Sequence, residues 1–277
     1  MMHGRKYAWA LVLPATMLVV VALLWPVLST FATTLQTGDA GFWSNYTNYF
    51  ASGFRQRVLW RTFEVACIVT VLSVLIGFAA AWVVAKTPGR LKSILIIAAV
   101  FPLLTGVVVR SFAWMVILGK NGMLNNFLLW AGFIDAPVTM LFTKWAVIAA
   151  MVYLFVPLMI LTLAGVLEGI PQDLTEASAS LGATPAATFR QVILPMAVPG
   201  LIVGSVLVFT GSFTSYATPQ LLGGGAQMMM GTFLYQEAMV NFNWTRASTI
   251  AAIMTVVTLI CVWGMSKLAQ RLNPVAG

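Results

Sequence analysis

Six long apolar stretches constrain the fold of this chain more than any other feature of its sequence. A helix needs about 20 mostly apolar residues to cross the hydrocarbon core of a bilayer. Because an unpaired backbone amide is too costly in lipid, each stretch is expected to be helical. The sequence therefore predicts an all-α integral membrane protein with six transmembrane helices, in one transmembrane domain covering residues 1–277. The predicted spans are 7–30, 58–85, 93–118, 141–167, 197–222 and 247–268.

Composition supports a membrane location, and the residues before the first span bear on its fate. Hydrophobic residues make up 60% of the chain and charged residues 8%, against roughly 25% charged residues in soluble domains. Arg5 and Lys6 before the first apolar stretch are also typical of a secretory signal. That stretch is longer than a signal core of about 7–15 residues and no clear A-x-A cleavage site follows it, which favours a retained helix. The N-terminus is then expected on the cytoplasmic side.

A polar segment, 168–198, separates the fourth and fifth apolar stretches and is predicted to form two short helices. Pro171 suits the first turn of the first helix, and Asp173 and Glu176 place negative charge near the positive end of its dipole. Gly182 can adopt the left-handed backbone that ends this helix. One narrow face of the helix carries small and apolar side chains at i, i+3, i+4 and i+7. These are Leu174, Ala177, Ser178 and Leu181.

The second short helix is predicted to begin at Thr184, which suits an N-cap, with Pro185 at its first position. It is predicted to end at Pro195, because proline lacks the N–H that a helix interior needs. Two interpretations of Glu176 stay open: an ionic contact with a partner or with Arg190, or stabilisation of its own helix N-terminus. The small-residue face of the first helix suits insertion into a groove on another protein.

The spacing in this segment resembles the EAA loop of binding-protein-dependent ABC importer permeases. That motif consists of Glu-Ala-Ala, three residues, Gly, nine residues and Ile-x-Leu-Pro. Ser178 replaces its third small residue and Val192 replaces its isoleucine, and both replacements keep a similar size. The resemblance implies that the loop lies in the cytoplasm and docks on an ATP-hydrolysing subunit. The residues to which it assigns this coupling role are Glu176, Ala177, Ser178, Gly182, Leu194 and Pro195.

Two further segments are similar to the spermidine/putrescine-type B permease subunits. They are residues 109–122, and residues 217–224 with Gly231 and Thr232 following. Together with the coupling loop, the likeness covers a core of residues 58–268. It implies a permease subunit that moves a small organic solute, such as a polyamine, across the prokaryotic cytoplasmic (inner) membrane by alternating access. The implied partners are ABC ATPase subunits, a second permease subunit and an external solute-binding protein, with membrane lipid around them.

Arg110 lies about two-thirds of the way through the third predicted span. A bare charge is costly there and usually faces the protein interior, a cavity or a partner, so Arg110 is a candidate for the translocation path. Two structural alternatives stay open: an arginine that reaches the outer headgroups, or one that pairs with Glu64.

Pro219 and the glycines after it are predicted to break the fifth span near the outer surface, as a gate or as an ordinary helix end. If the cargo is cationic, acidic and aromatic side chains in the outer half could guide it by charge and cation–π contact. Anchoring at the membrane interface is the alternative for the aromatic residues. The candidates for the path or gate are Arg110, Trp114, Tyr216, Pro219 and Glu237.

The sequence lacks residues that histidine-dependent and ATP-hydrolysing sites require. His3 is the only histidine, so His-based metal sites and Ser/His catalysis are not expected. Lys120 follows Gly119 but precedes Asn121, so the phosphate-binding G-x-x-x-x-G-K-[ST] loop is missing. The chain is predicted to be a transport subunit that binds no cofactor or metal itself, with ATP and Mg²⁺ on the partner ATPase. An ATP-independent channel or carrier is the alternative, and a membrane scaffold is a third possibility.

The charges give only a weak orientation. The net charge is +8, but the cations are scattered over all the loops, which indicates membrane-surface charge and no nucleic-acid partner. With both termini in the cytoplasm, eight Lys and Arg residues lie inside, six lie outside and one lies within a span. The predicted orientation therefore depends on the EAA resemblance. Cys67 and Cys261 lie within separate apolar stretches and are expected to be reduced thiols.

Overall fold

The computed structural model describes residues 3–35 and 43–272, and every regular element in these ranges is helical. The first seven helices are α1 (His3–Thr34), α2 (Ser44–Ala51), α3 (Gly53–Lys86), α4 (Gly89–Leu104), α5 (Val107–Leu118), α6 (Met123–Trp130) and α7 (Lys144–Glu168). They are followed by α8 (Gln172–Ser180), α9 (Pro185–Thr188), α10 (Leu194–Thr214), α11 (Ala217–Leu222), α12 (Met230–Tyr235) and α13 (Trp244–Leu272). π-helical turns at Phe189–Ile193 and Gln236–Val240 follow α9 and α12, and a 3₁₀ turn spans Gly225–Gln227.

Six helical stretches of the described chain are long and apolar enough to cross a membrane. They confirm the predicted all-α fold and the predicted number of spans. Many of their large apolar side chains are exposed, as a surface that faces lipid tails requires. The stretches are Thr16–Thr34, Gly53–Lys86, Val107–Trp130, Lys144–Glu168, Pro185–Thr214 and Trp244–Leu268.

The third predicted span is wrong as one continuous helix. Residues 93–118 form parts of α4 and α5, with Thr105 and Gly106 extended between them at ψ of 134° and 141°. The Thr105 hydroxyl donates to the Pro102 carbonyl at 2.9 Å, a local bond that competes with continued helix. Glycine is also a poor helix former, so Gly106 favours the interruption. The membrane-crossing stretch found here begins at Val107 and continues through α6.

The fifth predicted span breaks earlier than its sequence suggests. Helix α10 ends at Thr214, and the short α11 follows after Ser215, which is extended at ψ 135°. Pro219 was expected to break the helix but lies in the first turn of α11, where no intrahelical N–H bond is lost. The break is therefore at Ser215, and Pro219 is a buried residue of the helix that follows.

The described residues form two compact units, one within residues 3–35, 43–56 and 234–255 and the other within residues 57–233 and 256–272. In the larger unit, α7 packs against both α10 and α4. Met159 of α7 is fully buried. A Cβ added at Gly77 would lie 2.6 Å from the Met159 Cγ, and one added at Gly204 would lie 2.5 Å from the Met159 Sδ. These glycines therefore permit the close helix approach on which membrane helix packing depends.

Helices α3 and α7 run in the same direction. Lys144, the first residue of α7, donates from its Nζ to the Oε1 of Glu64 in the first half of α3, at 2.6 Å. At the other end, the Lys92 Nζ, just after α3, lies 2.7 Å from the Glu168 Oε2 on the last residue of α7. Two spans with one further span between them in the chain must cross the membrane in the same direction.

Candidate coupling loop and helix breaks

The first helix of the polar segment ends in a glycine turn. Helix α8 ends at Ser180, and Gly182 has φ +82°, which confirms the left-handed conformation predicted for it. The Ala183 N–H donates to the Ser178 carbonyl at 3.1 Å, and the Gly182 N–H donates to the Ala179 carbonyl at 2.9 Å. These two bonds form a Schellman motif, which pairs carbonyls that the helix end would otherwise leave free. Gly182 therefore sets the bend.

The second helix begins as predicted but does not end as predicted. The Thr184 Oγ1 accepts a hydrogen bond from the Ala187 N–H at 3.3 Å, and Pro185 is the first residue of α9. The predicted end at Pro195 is wrong, because α9, the π turn and α10 continue as one helical stretch, Pro185–Thr214. The Leu194 N–H bonds the Phe189 carbonyl across the π turn. This wider turn places the register shift just before Pro195, which accommodates its missing N–H.

A hydroxyl pair joins the two short helices. Ser178 Oγ on α8 lies 2.9 Å from Thr188 Oγ1 on α9, and Thr188 is buried. Ser178 stands where the EAA motif has a small residue without a hydroxyl. Sequence reasoning missed Thr188, and the only signal available was the serine itself.

The outer surface of α8 is exposed, and no residue of this helix is buried. Of the predicted small-residue face, Leu174 is 42% exposed, Leu181 is 89% exposed and Ser178 is half-buried. The Glu176 Oε1 accepts from the Gln172 Nε2 at 3.0 Å. Among the described residues no ion pair links Glu176 to Arg190, so that alternative is wrong, and a contact of Glu176 with a partner stays a prediction. The loop presents its apolar face outward.

Aromatic packing holds the second helix against the end of α3. Phe189 in the π turn packs edge-on against Phe78, with ring centroids 5.6 Å apart, and against Trp82 at 6.2 Å. The Lys86 ammonium lies 5.1 Å from the Trp82 ring centroid. Beside α8, a cavity of about 430 Å³ is lined by residues that include Trp82, Glu168 and Gln172. The loop is thus anchored on one side and open on the other.

Arg110 bonds backbone carbonyls at the break between α4 and α5. Its Nη1 donates to the Pro102 carbonyl at 2.7 Å and to the Thr105 carbonyl at 3.3 Å. These carbonyls belong to the C-terminal end of α4, where a cation is also favoured by the helix dipole. Arg110 is 6% exposed, so it does not reach the headgroups. The alternative pairing with Glu64 is wrong as well, because Glu64 pairs with Lys144.

The other path candidates fall into two groups. Trp114 lies on α5 and packs edge-on against Tyr153 of α7, with ring centroids 5.8 Å apart. Tyr216 immediately precedes α11, which contains the buried Pro219 and packs against α5. The two interrupted spans therefore meet, as discontinuous helices do around many transport sites.

Glu237 belongs to the other compact unit. Its carboxylate lies 3.3 Å from the Arg246 Nη1, and its side chain is 6% exposed. Among the described residues, Arg246 is the partner that compensates this buried charge. The role of each path candidate in transport stays a prediction.

Comparison with known proteins decides the family. Residues 73–274 match the family described as the binding-protein-dependent transport system inner membrane component. The chain belongs to this family. The sequence is 32% identical over 229 residues to the spermidine/putrescine transport system permease protein PotB of Haemophilus influenzae, covering 83% of this chain and 80% of the relative. The Escherichia coli PotB is 30% identical over 217 residues, covering 77% and 79%.

Solved structures of the same type share the fold. A bacterial ABC transporter involved in import of the acidic polysaccharide alginate contains a chain with TM-score 0.81, 17% identity and 97% and 96% coverage of the two chains. A chain of the MetNI methionine ABC transporter gives a TM-score of 0.60 at 18% identity, with coverage of 80% and 99%. The predicted family is confirmed, and this member is a multi-pass permease subunit of an ABC importer.

Proposed function

We propose that this permease uses ATP hydrolysis by a separate ABC ATPase to import a small organic solute, a polyamine or a similar compound. The observation that carries the proposal is the exposed coupling loop. Helix α8 has no buried residue, Leu181 at its C-cap is 89% exposed, and a left-handed Gly182 fixes its angle to the next helix. An apolar face this exposed on an ordered helix suits a protein partner.

Motion at the loop has a direct mechanical route into the membrane. Because α9, the π turn and α10 form one helical stretch, displacement of α8 acts on α10 through the Ser178–Thr188 contact and the Gly182 bend. Helix α10 packs along α7 and ends at the break before α11. We assign the gate to the contact of α11 with α5, where both spans are interrupted. ATPase closure would then switch the path by alternating access.

The proposal includes two further partners, an external solute-binding protein and a second permease subunit. One structural neighbour is an alginate ABC transporter in complex with a pentasaccharide-bound periplasmic protein. By analogy, an external solute-binding protein delivers the cargo here, and a second permease subunit completes the path. In this proposal the chain is a transport subunit and not an enzyme. ATP and Mg²⁺ bind the partner ATPase, and this chain binds no cofactor or metal. The coupling loop and both termini face the cytoplasm.

The polyamine assignment rests on the two PotB relatives, whose names give spermidine and putrescine transport. Its test is binding of polyamines, amino acids and phosphonates to the cognate external binding protein. Selective polyamine binding supports the cargo. Selective binding of another class contradicts it and leaves the coupling proposal intact.

The coupling proposal is tested in proteoliposomes that contain this chain, its permease partner and the ATPase, with loaded binding protein outside. We expect uptake only with ATP, and stimulation of ATP hydrolysis by the loaded binding protein. An ATPase-inactive variant is the control. Equal uptake without ATP would identify an ATP-independent channel or carrier.

A further inference from the structure

A polar cavity of about 500 Å³ lies within the smaller unit, and none of its lining residues belongs to the coupling loop or to the helix breaks. It is formed by α2, the first turn of α3 and the residues at the start of α13. Among the described residues its lining includes amides, guanidinium groups and a phenol, and no carboxylate. The residues that matter here are Asn45, Asn48, Tyr49, Arg55, Asn243 and Arg246.

Both arginines are held in place, which prepares them to bind an anion. The Arg55 Nη1 donates to the Asn48 carbonyl at 2.9 Å, and its guanidinium carbon lies 6.0 Å from the Tyr49 ring centroid. The Arg246 Nη1 lies 3.3 Å from the Glu237 carboxylate. A guanidinium has five N–H groups, so each arginine keeps further donors beyond these contacts. Burial raises the pKa of Tyr49 to about 12 despite the nearby Arg55, so its phenol stays neutral.

The charges favour a ligand with one negative charge. Glu237 compensates Arg246, which leaves Arg55 as the uncompensated charge among the described residues that line the cavity. Guanidinium groups bind phosphate by paired, charge-assisted hydrogen bonds. The side-chain amides of Asn45, Asn48 and Asn243 can both donate to and accept from hydroxyl groups.

The starts of two membrane-crossing helices line the cavity, and the end of a third is bonded by one of its lining residues. The Asn45 Nδ2 donates to the carbonyl of Thr34, the last residue of α1, at 2.8 Å. Arg55 lies in the first turn of α3, and Asn243 immediately precedes α13. Trp43 and Trp244 are 64% and 58% exposed nearby in the sequence, and exposed tryptophans concentrate at the depth of lipid headgroups. The cavity is therefore placed at the membrane interface.

We infer that this cavity binds the headgroup of an anionic phospholipid, with its phosphodiester at Arg55 and Arg246 and its glycerol hydroxyls at the asparagine amides. A zwitterionic headgroup fits less well, because its cation would add positive charge beside the uncompensated Arg55. Lipid binding at this cavity depends on neither the cargo nor the orientation of the chain, since both leaflets present headgroups.

The test measures phosphatidylglycerol that stays with the purified full transporter complex after a detergent wash, by quantitative lipid mass spectrometry. Arg55→Gln removes the uncompensated charge and leaves the Arg246–Glu237 pair intact. We expect it to weaken retention about tenfold, with partial recovery in Arg55→Lys, since a charge-assisted bond to phosphate is lost and then partly restored. Arg57→Gln is the matched control, because Arg57 is exposed and does not line the cavity. Equal retention in all variants would overturn the proposal.

A second measurement uses the wild-type complex, so that a variant that fails to assemble does not decide the matter. Phosphatidylglycerol added to delipidated complex should raise the unfolding temperature more than phosphatidylcholine does, and millimolar inorganic phosphate should not substitute for it. Equal effects of the two lipids, or full substitution by phosphate, would overturn the lipid assignment. So would unchanged lipid retention in Arg55→Gln combined with weaker docking of the external binding protein, which would assign the cavity to that protein.

Discussion

The angle between the two short helices of the coupling loop depends on one residue, Gly182. Its φ is +82°, and nothing among the described residues lies within 4 Å of the position that a Cβ would take. Alanine there meets backbone strain without a steric clash, and left-handed backbone costs an L-residue about 1–2 kcal/mol. We expect Gly182→Ala to reduce ATP hydrolysis stimulated by loaded binding protein about five- to tenfold, because that strain opposes the bend. Reconstituted transporter provides the measurement.

Gly132 offers a matched control for this substitution. It too is left-handed, at φ +71°, with nothing within 4 Å, and it lies outside the coupling loop. Gly132→Ala should carry similar local strain and leave stimulated ATP hydrolysis at the wild-type level. Equal losses in both variants would indicate general instability and contradict the role of Gly182 in coupling.

Arg110 allows a second prediction at the scale of one residue. It is buried and bonds the Pro102 and Thr105 carbonyls at the break between α4 and α5. Arg110→Met leaves these acceptors unpaired, which costs about 1–3 kcal/mol for each buried group. We expect a lower unfolding temperature of the purified complex, and a smaller decrease in Arg110→Lys, which keeps one donor group. The exposed Arg57→Met should have no such effect, and equal decreases in both methionine variants would contradict the capping role.

The contact between α8 and α9 belongs to the scale of elements. The Ser178 and Thr188 hydroxyls lie 2.9 Å apart, and a neutral hydrogen bond of this kind contributes about 0.5–1.5 kcal/mol. A double-mutant cycle with Ser178→Ala and Thr188→Val should show coupling of about 1 kcal/mol in the affinity for the ATPase, because the bond holds α8 ready to dock. Thr175→Val is the control, since the Thr175 hydroxyl bonds only within α8, to Gln172. If the effects of the two substitutions are additive, the proposed coupling between Ser178 and Thr188 is contradicted.

Elements with local signals could be predicted from the sequence, and those that depend on tertiary contacts could not. Gly182, Thr184 and Pro185 each act on their own turn, so the end of α8 and the start of α9 followed from residue type. The breaks at Thr105 and Ser215 did not. In the fifth span Pro219 was the stronger signal, and in the third span Pro102 lies inside α4 and does not mark the break. At the first break, the Arg110 guanidinium bonds the carbonyl of Pro102, eight residues before it in the chain. The π turn before Pro195 likewise replaces the expected helix end with a register shift.

At the scale of the whole molecule, hydropathy predicted the six spans and the EAA spacing predicted the family, because both are carried by residues close in sequence. The cavity at Arg55 and Arg246 was not predicted. Its walls come from the adjacent α2 and α3 and from α13, which starts almost 200 residues further along the chain. The pairing of Glu64 with Lys144 escaped prediction for the same reason, since the sequence offered Arg110 as an equally plausible cation.

The orientation of the whole chain gives the last prediction. We expect Leu181→Cys, at an 89% exposed position of the coupling loop, to react with a membrane-impermeant maleimide only in inside-out vesicles. Phe133→Cys, at a 74% exposed position after α6, should react only in intact spheroplasts, because one apolar span, Lys144–Glu168, separates the two sites. Both variants are made with Cys67 and Cys261 replaced by alanine. Labelling of both sites from one side would contradict the crossing by α7, and the reverse pattern would place the coupling loop outside, where no ATPase can reach it.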